Sequence, residues 1–496
     1  SFGDWKPPLP TYLMIPTIAI FGLTPLGVRL PSALLGTLTV FLTFFVVKEL
    51  LDKYEYKSGP LKTRENIALV TASLLAISPW QIVQSRSAML VAVALFFTAG
   101  GLWSFLKGLK HSHYLFICSL CFSLAIYSYY GMRLIIPLLF FSLLILFKKS
   151  LFQKKHVFTE AILLGVFLLL PLGLGFLSQP NVIFGRAKTV SIFYDKGVTL
   201  TVWDLIAQDG VGMPTSLAQF FHNKPYHYTI DIVKRFFVHL DGRFLFLTGD
   251  THPPFQIPGM GMVYWVDGIF ICLGLIHLIR HQSKLLLFII IFISISILPA
   301  ALTYVTPSQN RTFTLSLPLM MLSAIGIVSL YNFINKRALF LLTLLIIYGL
   351  SFSYFVFNYA LVLPKEHAHW WHYGYKELIS FAKDHDNRYD TIYISGRASV
   401  PYVFLLFYNQ IDPNRVQKEI RRDLNDDEYG FEHVTAFGKY EFPRYFSWKS
   451  DGETLLPQTL LVLTEHEDDP TGEHIRGVGN IRYPNGKVAF KLFEIL

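Results

Sequence analysis

The chain has 496 residues, of which 52% are hydrophobic, 16% aromatic and only 16% charged, and its mean hydropathy is +0.43. This composition excludes a water-soluble protein of this length, because a soluble surface carries more charge. The formal net charge of +9 does not indicate nucleic-acid binding, since the lysines and arginines lie mostly in short loops between apolar runs. The sequence therefore predicts an integral membrane protein.

The first apolar run, residues 8 to 23, is short and contains Pro8, Pro10 and Pro16. We expect it to form a helix that lies at the membrane interface rather than a span. No charged leader precedes this run, and the chain begins with Ser1 rather than methionine. These two features predict an N-terminally truncated fragment.

Apolar stretches near the roughly 20 residues that a bilayer requires predict about ten spans. They are residues 28–48, 67–80, 86–106, 113–130, 132–148, 157–177, 262–280, 285–303, 312–333 and 338–360. Alternate connections are rich in lysine and arginine, which predicts that they face the cytoplasm. The other connections, including a long loop at 178–261 and everything after Leu361, are then expected outside the cell membrane.

The chain changes character near residue 362, where charged residues return. We expect a transmembrane domain over 1–361 and a soluble extracytoplasmic α/β domain over 362–496. Within the second domain the pattern predicts helices at 374–384 and 401–409 and strands at 389–395 and 459–463. Asn485-Gly486 predicts a hairpin with a type I′ turn. The sequence contains no glycine-rich phosphate loop, so a cytoplasmic nucleotide is not the expected donor.

Polar residues gather at the outer ends of the predicted spans and in the outer loops, rather than at the middle of the bilayer. A secondary transporter would place ionisable residues at mid-span on repeated, broken helices, and the sequence shows neither feature. A polar boundary of this kind suits a substrate with a lipid tail in the bilayer and a phosphate at its edge, where cations would neutralise the phosphate.

Three motifs carry a resemblance to a known family. They are Ser1-Phe2-Gly3-Asp4-Trp5-Lys6-Pro7-Pro8-Leu9, Val28-Arg29-Leu30-Pro31-Ser32-Ala33-Leu34, and Ser78-Pro79-Trp80 with Ser85-Arg86. The sequence resembles the GT-C-fold membrane glycosyltransferases, in particular family 39, which includes the protein O-mannosyltransferases and the lipid A aminoarabinose transferases. The resemblance implies a polytopic helical membrane fold and transfer of a sugar from a polyprenyl-phosphate donor to a protein or lipid-glycan acceptor.

The resemblance also assigns roles to individual residues. It implies that an acidic residue of the first outer loop, upstream of Ser1, acts as the base. Asp4 is the candidate catalytic residue of this sequence, either by assisting that base or by binding a metal ion. The candidate ligands of the donor phosphate are Lys6, Arg86, Arg133 and Arg311. Asp250 and His252 are candidates for binding the acceptor or a divalent metal ion. The same residues also have structural interpretations: Lys6 as an interfacial lysine paired with Asp4, the arginines as helix-end or headgroup contacts, and Arg29 as structural.

The sequence departs from the family where polar residues are expected. Gln81 and Tyr130 stand where relatives have histidine, Leu90 replaces an acidic residue, and Pro254-Phe255 replace arginine and histidine. From the resemblance we expect an inverting glycosyltransferase of the inner membrane that acts at its outer face. Because of these departures, the alternative is a non-catalytic protein that binds a polyprenyl-phosphate glycan, or a flippase or polymerase of such glycans.

Overall fold

The computed structural model describes residues 6–56, 63–180, 189–194, 197–424, 432–444, 446–452 and 455–496. The chain divides into two compact units, one made mainly of Pro25–Phe355 and the other mainly of Val356–Leu496. The boundary between them lies a few residues before the one that the sequence predicts. The predicted fold class, a helical membrane part with a small C-terminal α/β part, is confirmed.

Helices make up the described part of the first unit. They are α1 Leu9–Phe21, α2 Pro25–Lys53, α3 Thr63–Ile77, α4 Pro79–Arg86, α5 Leu90–Gly108, α6 Tyr114–Ser128, α7 Met132–Phe152, α8 Lys155–Ser178, α9 Gly197–Asp209, α10 Thr215–Phe221, α11 Lys224–Val238, α12 Trp265–His281, α13 Ser283–Ala301, α14 Ser316–Phe333 and α15 Arg337–Phe357. Single π or 3-10 turns occur at Arg243–Leu247, Pro253–Phe255 and Phe313–Leu315 in this unit, and a further π turn occurs at Asn358–Val362 in the second unit.

Each predicted span contains a helix, but the helices differ in length. In the described part of the chain seven are long and apolar enough to cross a membrane, or eight if the bent pair α3 and α4 is one span. Helices α6 and α12 have 15 and 17 residues, which at about 1.5 Å per residue is shorter than a hydrocarbon core of about 30 Å. The predicted sidedness requires both short helices to cross as well, and it stays a prediction.

Burial differs sharply between the helices. Helix α14 is buried along most of its length, whereas in α8 the buried residue is Ala161. Leu163, Phe167 and Leu174 of α8 are more than half exposed. Large apolar side chains in such a row require a lipid environment, because water would make their exposure costly.

The long connection between α8 and α12 is not an extended loop. It contains α9, α10 and α11 in its described residues. Helix α11 has charged residues such as Lys224, Lys234 and Arg235 on one side and apolar residues such as Val233 and Phe237 on the other. An amphipathic helix of this kind is typical of a surface between water and an apolar phase.

The second unit is built on a seven-stranded sheet with the order β2-β3-β4-β1-β5-β7-β6. Strand β1 is parallel to β4 and β5, and the other pairs are antiparallel. Its strands are β1 Thr391–Ile394, β2 Ile420–Asp423, β3 His433–Phe437, β4 Tyr440–Glu441, β5 Thr459–Thr464, β6 Ile475–Arg482 and β7 Val488–Ile495. Its helices are α16 Leu363–Glu366, α17 Tyr375–Asp384, α18 Pro401–Tyr408, α19 Pro413–Glu419 and α20 Trp448–Asp451, with 3-10 turns at His369–Trp371 and Asp386–Arg388.

The predicted hairpin forms between β6 and β7, but its predicted type I′ turn is wrong. Gly486 has a φ of +86° while Asn485 does not have a positive φ, and the Gly486 N–H donates to the carbonyl oxygen of Tyr483 at 2.9 Å. Pro484 occupies the second position of this turn, where its fixed φ favours a type I turn followed by a left-handed glycine.

Helices α12 and α14 cross at two glycines. A Cβ atom added at Gly326 would lie 2.0 Å from the carbonyl oxygen of Phe270, and one added at Gly274 would lie 2.1 Å from that of Leu322. The helix backbones are therefore in direct contact, as small residues allow in membrane helices.

We predict that Gly326→Ala destabilises the protein by about 1 to 3 kcal/mol, because the added methyl group forces the two backbones apart. The matched control is Gly349→Ala in α15, where nothing lies within 4 Å of the added atom. The measurement is thermal unfolding of the detergent-solubilised variants, and equal melting temperatures for the two variants would contradict the close crossing.

Candidate functional site

A groove lies between α2 and α4, and its volume is about 610 Å³. Most of its lining is apolar, including Leu26, Leu30, Val40 and Phe41. Two exposed arginines, Arg29 and Arg86, line it as well. An apolar groove lined by two guanidinium groups suits a lipid with an anionic head.

A break between α3 and α4 shapes this groove. The two helices meet at 57°, and Ser78 between them has extended dihedral angles of −64° and 127°. Pro79 at the start of α4 causes the break, because proline disfavours the helical conformation in the residue before it. The bend lies within a predicted span, so α4 leaves the direction of α3 and brings Arg86 to the groove.

Close contact between α2 and α4 fixes the groove wall. A Cβ atom added at Gly36 would lie 2.0 Å from Oγ of Ser85, and the Gln81 side-chain amide donates to the carbonyl oxygen of Gly36 at 2.9 Å. Gln81 therefore binds one helix to the other. Its position makes it part of the wall rather than a reactive group.

The other side of α4 packs against the segment Thr303–Thr312, which follows α13. Trp80 is 1% exposed, and its indole N–H donates to the carbonyl oxygen of Gln309 at 3.1 Å. The Gln84 amide donates to Asn310 Oδ1 at 2.6 Å. The Ser78-Pro79-Trp80 motif thus begins the broken helix and also attaches it to this segment.

Two basic residues hold the start of the same segment. Arg311 donates through Nη1 to Thr303 Oγ1 at 3.1 Å and to the Val305 carbonyl oxygen at 3.0 Å. Arg235 of α11 donates to the carbonyl oxygens of Thr303 and Tyr304 at 3.1 and 2.6 Å. Arg311, predicted as a phosphate ligand, therefore also braces the loop on which it lies.

His239, which the sequence did not single out, is fully buried beneath this segment. Its Nε2 accepts from the backbone N–H of Ser308 at 3.0 Å, and its Nδ1 lies 2.8 Å from the Arg235 carbonyl oxygen. These partners require a neutral ring with the proton on Nδ1. Burial and, to a smaller extent, the charge of Arg311 together lower the pKa of His239 to about 4, against the opposing effect of the hydrogen bond to the Arg235 carbonyl oxygen.

Asp250 is 2% exposed, and both of its carboxylate oxygens bind the backbone. Oδ2 accepts from the N–H of Gln309 at 2.7 Å and Oδ1 from the N–H of His252 at 2.8 Å. Burial raises the pKa of Asp250, and the two N–H donors and the positive charge of Arg311 oppose that shift. These contacts favour a structural role for Asp250 over metal or acceptor binding.

The other predicted residues lie at separate places. Arg133 is the second residue of α7, and its guanidinium carbon lies 4.7 Å from the centre of the Tyr130 ring. Lys6 is exposed just before α1, and His252 is exposed beside Phe255. Of the four predicted phosphate ligands, Arg86 lines the groove described above.

Two predictions, the catalytic residue and the divalent metal ion, are not tested by the structure. Asp4, the predicted catalytic residue, lies outside the described residues. Among the residues that are described, no group of three or more histidine, cysteine, aspartate or glutamate side chains is arranged to hold a metal ion. The divalent metal stays a prediction.

Residues 5–174 match the family described as dolichyl-phosphate-mannose-protein mannosyltransferase. The match covers about a third of the chain and includes α2, α4 and the groove between them. It confirms the resemblance to GT-C membrane glycosyltransferases that the sequence motifs predicted. No curated protein matches the chain.

Solved structures of ArnT from Cupriavidus metallidurans are similar to this chain at low identity. The structure bound to undecaprenyl phosphate is 12% identical, with a TM-score of 0.48, and the match covers 99% of this chain and 90% of that one. The apo structure is 10% identical, with a TM-score of 0.31 and coverage of 65% and 67%.

We predict that the stability of the protein falls between pH 6.5 and pH 4 because of His239. The unfolded chain binds a proton near the ordinary histidine pKa of 6.5, whereas the folded chain stays neutral until about pH 4. The lost stability amounts to about 3 kcal/mol by the linkage relation.

The test compares melting temperatures of the wild type and His239→Gln from pH 7 to pH 4.5. Glutamine keeps an acceptor and a donor but does not titrate, so the fall should be smaller in the variant. Asp250 acts in the opposite direction, since a raised carboxyl pKa favours the folded state as pH falls. Identical pH profiles would show that His239 is not buried in the neutral form.

Proposed function

We propose that this chain transfers a sugar from a polyprenyl-phosphate donor to an acceptor hydroxyl group at the outer face of the membrane, with inversion at the anomeric carbon. The observation that carries the proposal is the apolar groove with Arg29 and Arg86, which lies in the part of the chain that matches a dolichyl-phosphate-mannose mannosyltransferase family. A polyprenyl tail would lie in the groove, with its phosphate beside the two guanidinium groups.

The reaction requires little more than charge stabilisation and removal of one proton. The acceptor oxygen attacks the anomeric carbon on the side opposite the phosphate, the bond between that carbon and the phosphate oxygen breaks, and the phosphate keeps the electron pair. Two guanidinium groups stabilise the added negative charge without any proton transfer to the leaving group. The proton of the acceptor passes to a carboxylate base, for which Asp4 is the candidate in this sequence.

The remaining basic residues have supporting places in this proposal. Lys6 precedes α1, and the resemblance assigns it to the donor phosphate. Arg311 is connected to the groove through the segment Thr303–Thr312, which Trp80 and Gln84 of α4 contact. We propose that Arg311 acts mainly by holding that segment, and through it α4, in place.

The role of the groove is tested by substituting its two arginines. Arg86→Ala should lower kcat/KM for a polyprenyl-phosphate sugar by about ten- to a hundredfold, because each lost charge-assisted hydrogen bond to phosphate is worth about 1.5 to 3 kcal/mol. Arg29→Ala should act in the same direction. The measurement is transfer of a radiolabelled sugar in membranes that contain the full-length protein.

The matched control is Arg337→Ala, since Arg337 is an exposed arginine that lies 5.3 Å from the Tyr331 ring and does not line the groove. Its activity should equal that of the wild type. Unchanged transfer in Arg86→Ala and Arg29→Ala would contradict the groove as the donor site. Donor binding without transfer in the wild type would instead favour the non-catalytic alternative.

The proposed orientation of the protein in the membrane is tested by labelling two positions. Lys418 in the second unit and Lys336 between α14 and α15 are both exposed, and the proposal places them on opposite sides of the membrane. A membrane-impermeant maleimide added to intact cells should label Lys418→Cys and leave Lys336→Cys unlabelled until the cells are opened. The opposite pattern would reverse the topology and place the groove's arginines on the wrong side.

A further inference from the structure

A cleft opens in the second unit where the parallel strands β1 and β4 end. The chain that leaves β1 runs beside the chain that leaves β4, and the N–H of Gly396 donates to the carbonyl oxygen of Pro443 at 2.8 Å. The first residue of β3, His433, lies at the same end of the sheet because β3 is antiparallel to β4. Ligands of open α/β sheets bind in crevices at the carboxyl ends of parallel strands.

The opposite side of β1 is closed by a buried carboxylate. Ser395 donates through Oγ to Glu467 Oε1 at 2.7 Å, and Glu467 Oε2 accepts from the N–H and the hydroxyl group of Thr464 at 2.7 and 2.8 Å. Ser395, Thr464 and Glu467 are all buried. These side chains fill the region beyond the ends of β1 and β5. The opening at this end of the sheet therefore lies beyond the ends of β1 and β4.

Two adjoining cavities form the cleft, with volumes of about 250 and 270 Å³. They share His433, Phe442 and Arg444. Phe442 is 4% exposed and belongs to the core of the sheet, so it forms a rigid apolar floor. The cleft is thus one site with two chemically different halves.

The first half is basic. Its lining includes Arg397, His433 and Arg444 and no acidic side chain among the described residues. The guanidinium group of Arg397 is exposed and has no hydrogen-bond or ion-pair partner among the described residues. A guanidinium in this setting presents its fork of N–H donors to an anion such as phosphate or carboxylate.

The second half carries hydroxyl groups and carboxylates. Besides Pro443 and the shared His433, Phe442 and Arg444, it is lined by Tyr393, Thr435, Asp423 and Glu441. Carboxylate oxygens accept hydrogen bonds from ligand hydroxyl groups, and the tyrosine and threonine hydroxyls donate and accept. This half therefore suits the polyhydroxylated face of a sugar rather than a second anionic group, which Asp423 and Glu441 would repel.

We infer that this cleft binds a saccharide that carries an anionic group, with the phosphate or carboxylate at Arg397, His433 and Arg444 and the sugar hydroxyls at Asp423 and Glu441. The site is separate from the groove in the first unit and does not depend on transfer activity. It gives the second unit a recognition function for charged carbohydrate.

The test measures binding of glucose 1-phosphate and of glucuronate to the full chain in detergent by isothermal titration calorimetry. Arg397→Ala should weaken both by about tenfold or more, since it removes a charge-assisted contact. The matched control is Arg415→Ala, because Arg415 is an exposed arginine of the same unit that pairs with Glu419 at 2.8 Å outside the cleft. It should bind as the wild type does.

Because the groove of the first unit would also attract phosphate, Arg86→Ala is measured alongside. Binding that survives Arg86→Ala and is lost in Arg397→Ala supports the cleft, whatever the outcome of the transfer assay. Equal binding in Arg397→Ala and Arg415→Ala, or no binding to the wild type at millimolar ligand, would overturn the assignment. Affinity for inorganic phosphate equal to that for glucose 1-phosphate would overturn the saccharide part of it.

Discussion

A charge at the edge of a bilayer is stable only where it meets water, headgroups or an opposite charge, and this constraint governs the first unit. Arg29 and Arg86 lie on an otherwise mostly apolar groove. A phosphate attached to a long hydrocarbon satisfies both parts of such a surface at once. In the proposed function, the sugar attached to that phosphate is held at the boundary, within reach of the acceptor.

The groove depends on one local break in the chain. Helix α3 ends before Pro79, and α4 begins there in a different direction. Arg86 lies on the groove side of α4, and Trp80 lies on the side that packs against the segment Thr303–Thr312. Trp80 binds the Gln309 carbonyl, and the Gln309 N–H binds Asp250. The short helix is thereby attached to a buried polar network, which gives an isolated two-turn helix a fixed position that its own hydrogen bonds would not provide.

Much of the fold was predictable because hydropathy is a property of single segments. Each predicted span contains a helix, and the helix at Tyr375–Asp384 and the strand at Thr459–Thr464 lie within a residue of their predicted bounds. The number of full-length spans is less predictable, since α6 and α12 have fewer residues than the predicted spans 113–130 and 262–280. Strands β2, β3 and β4 are not predicted, because they have only four, five and two residues and so carry too short a pattern.

The site was predictable only where a motif marked it. The Ser85-Arg86 motif marks Arg86 as a candidate. The sequence indicates only a structural role for Arg29, because nothing in it shows that α2 lies beside α4. His239 had no signal at all, as its role arises from burial and from two backbone partners. Asp250 was marked as a ligand by residue type, whereas its carboxylate binds two backbone N–H groups.

The most direct measurement of the central claim is photo-crosslinking with a polyprenyl phosphate that carries a diazirine in the isoprenoid units next to the phosphate. Peptide mapping by mass spectrometry would locate the attached lipid on the full-length protein in native membranes. The account predicts adducts on the groove-lining parts of α2 and α4, including Leu30, Phe41 and Ile82, that are lost in the presence of excess unlabelled lipid. Competed adducts confined to other helices would contradict it.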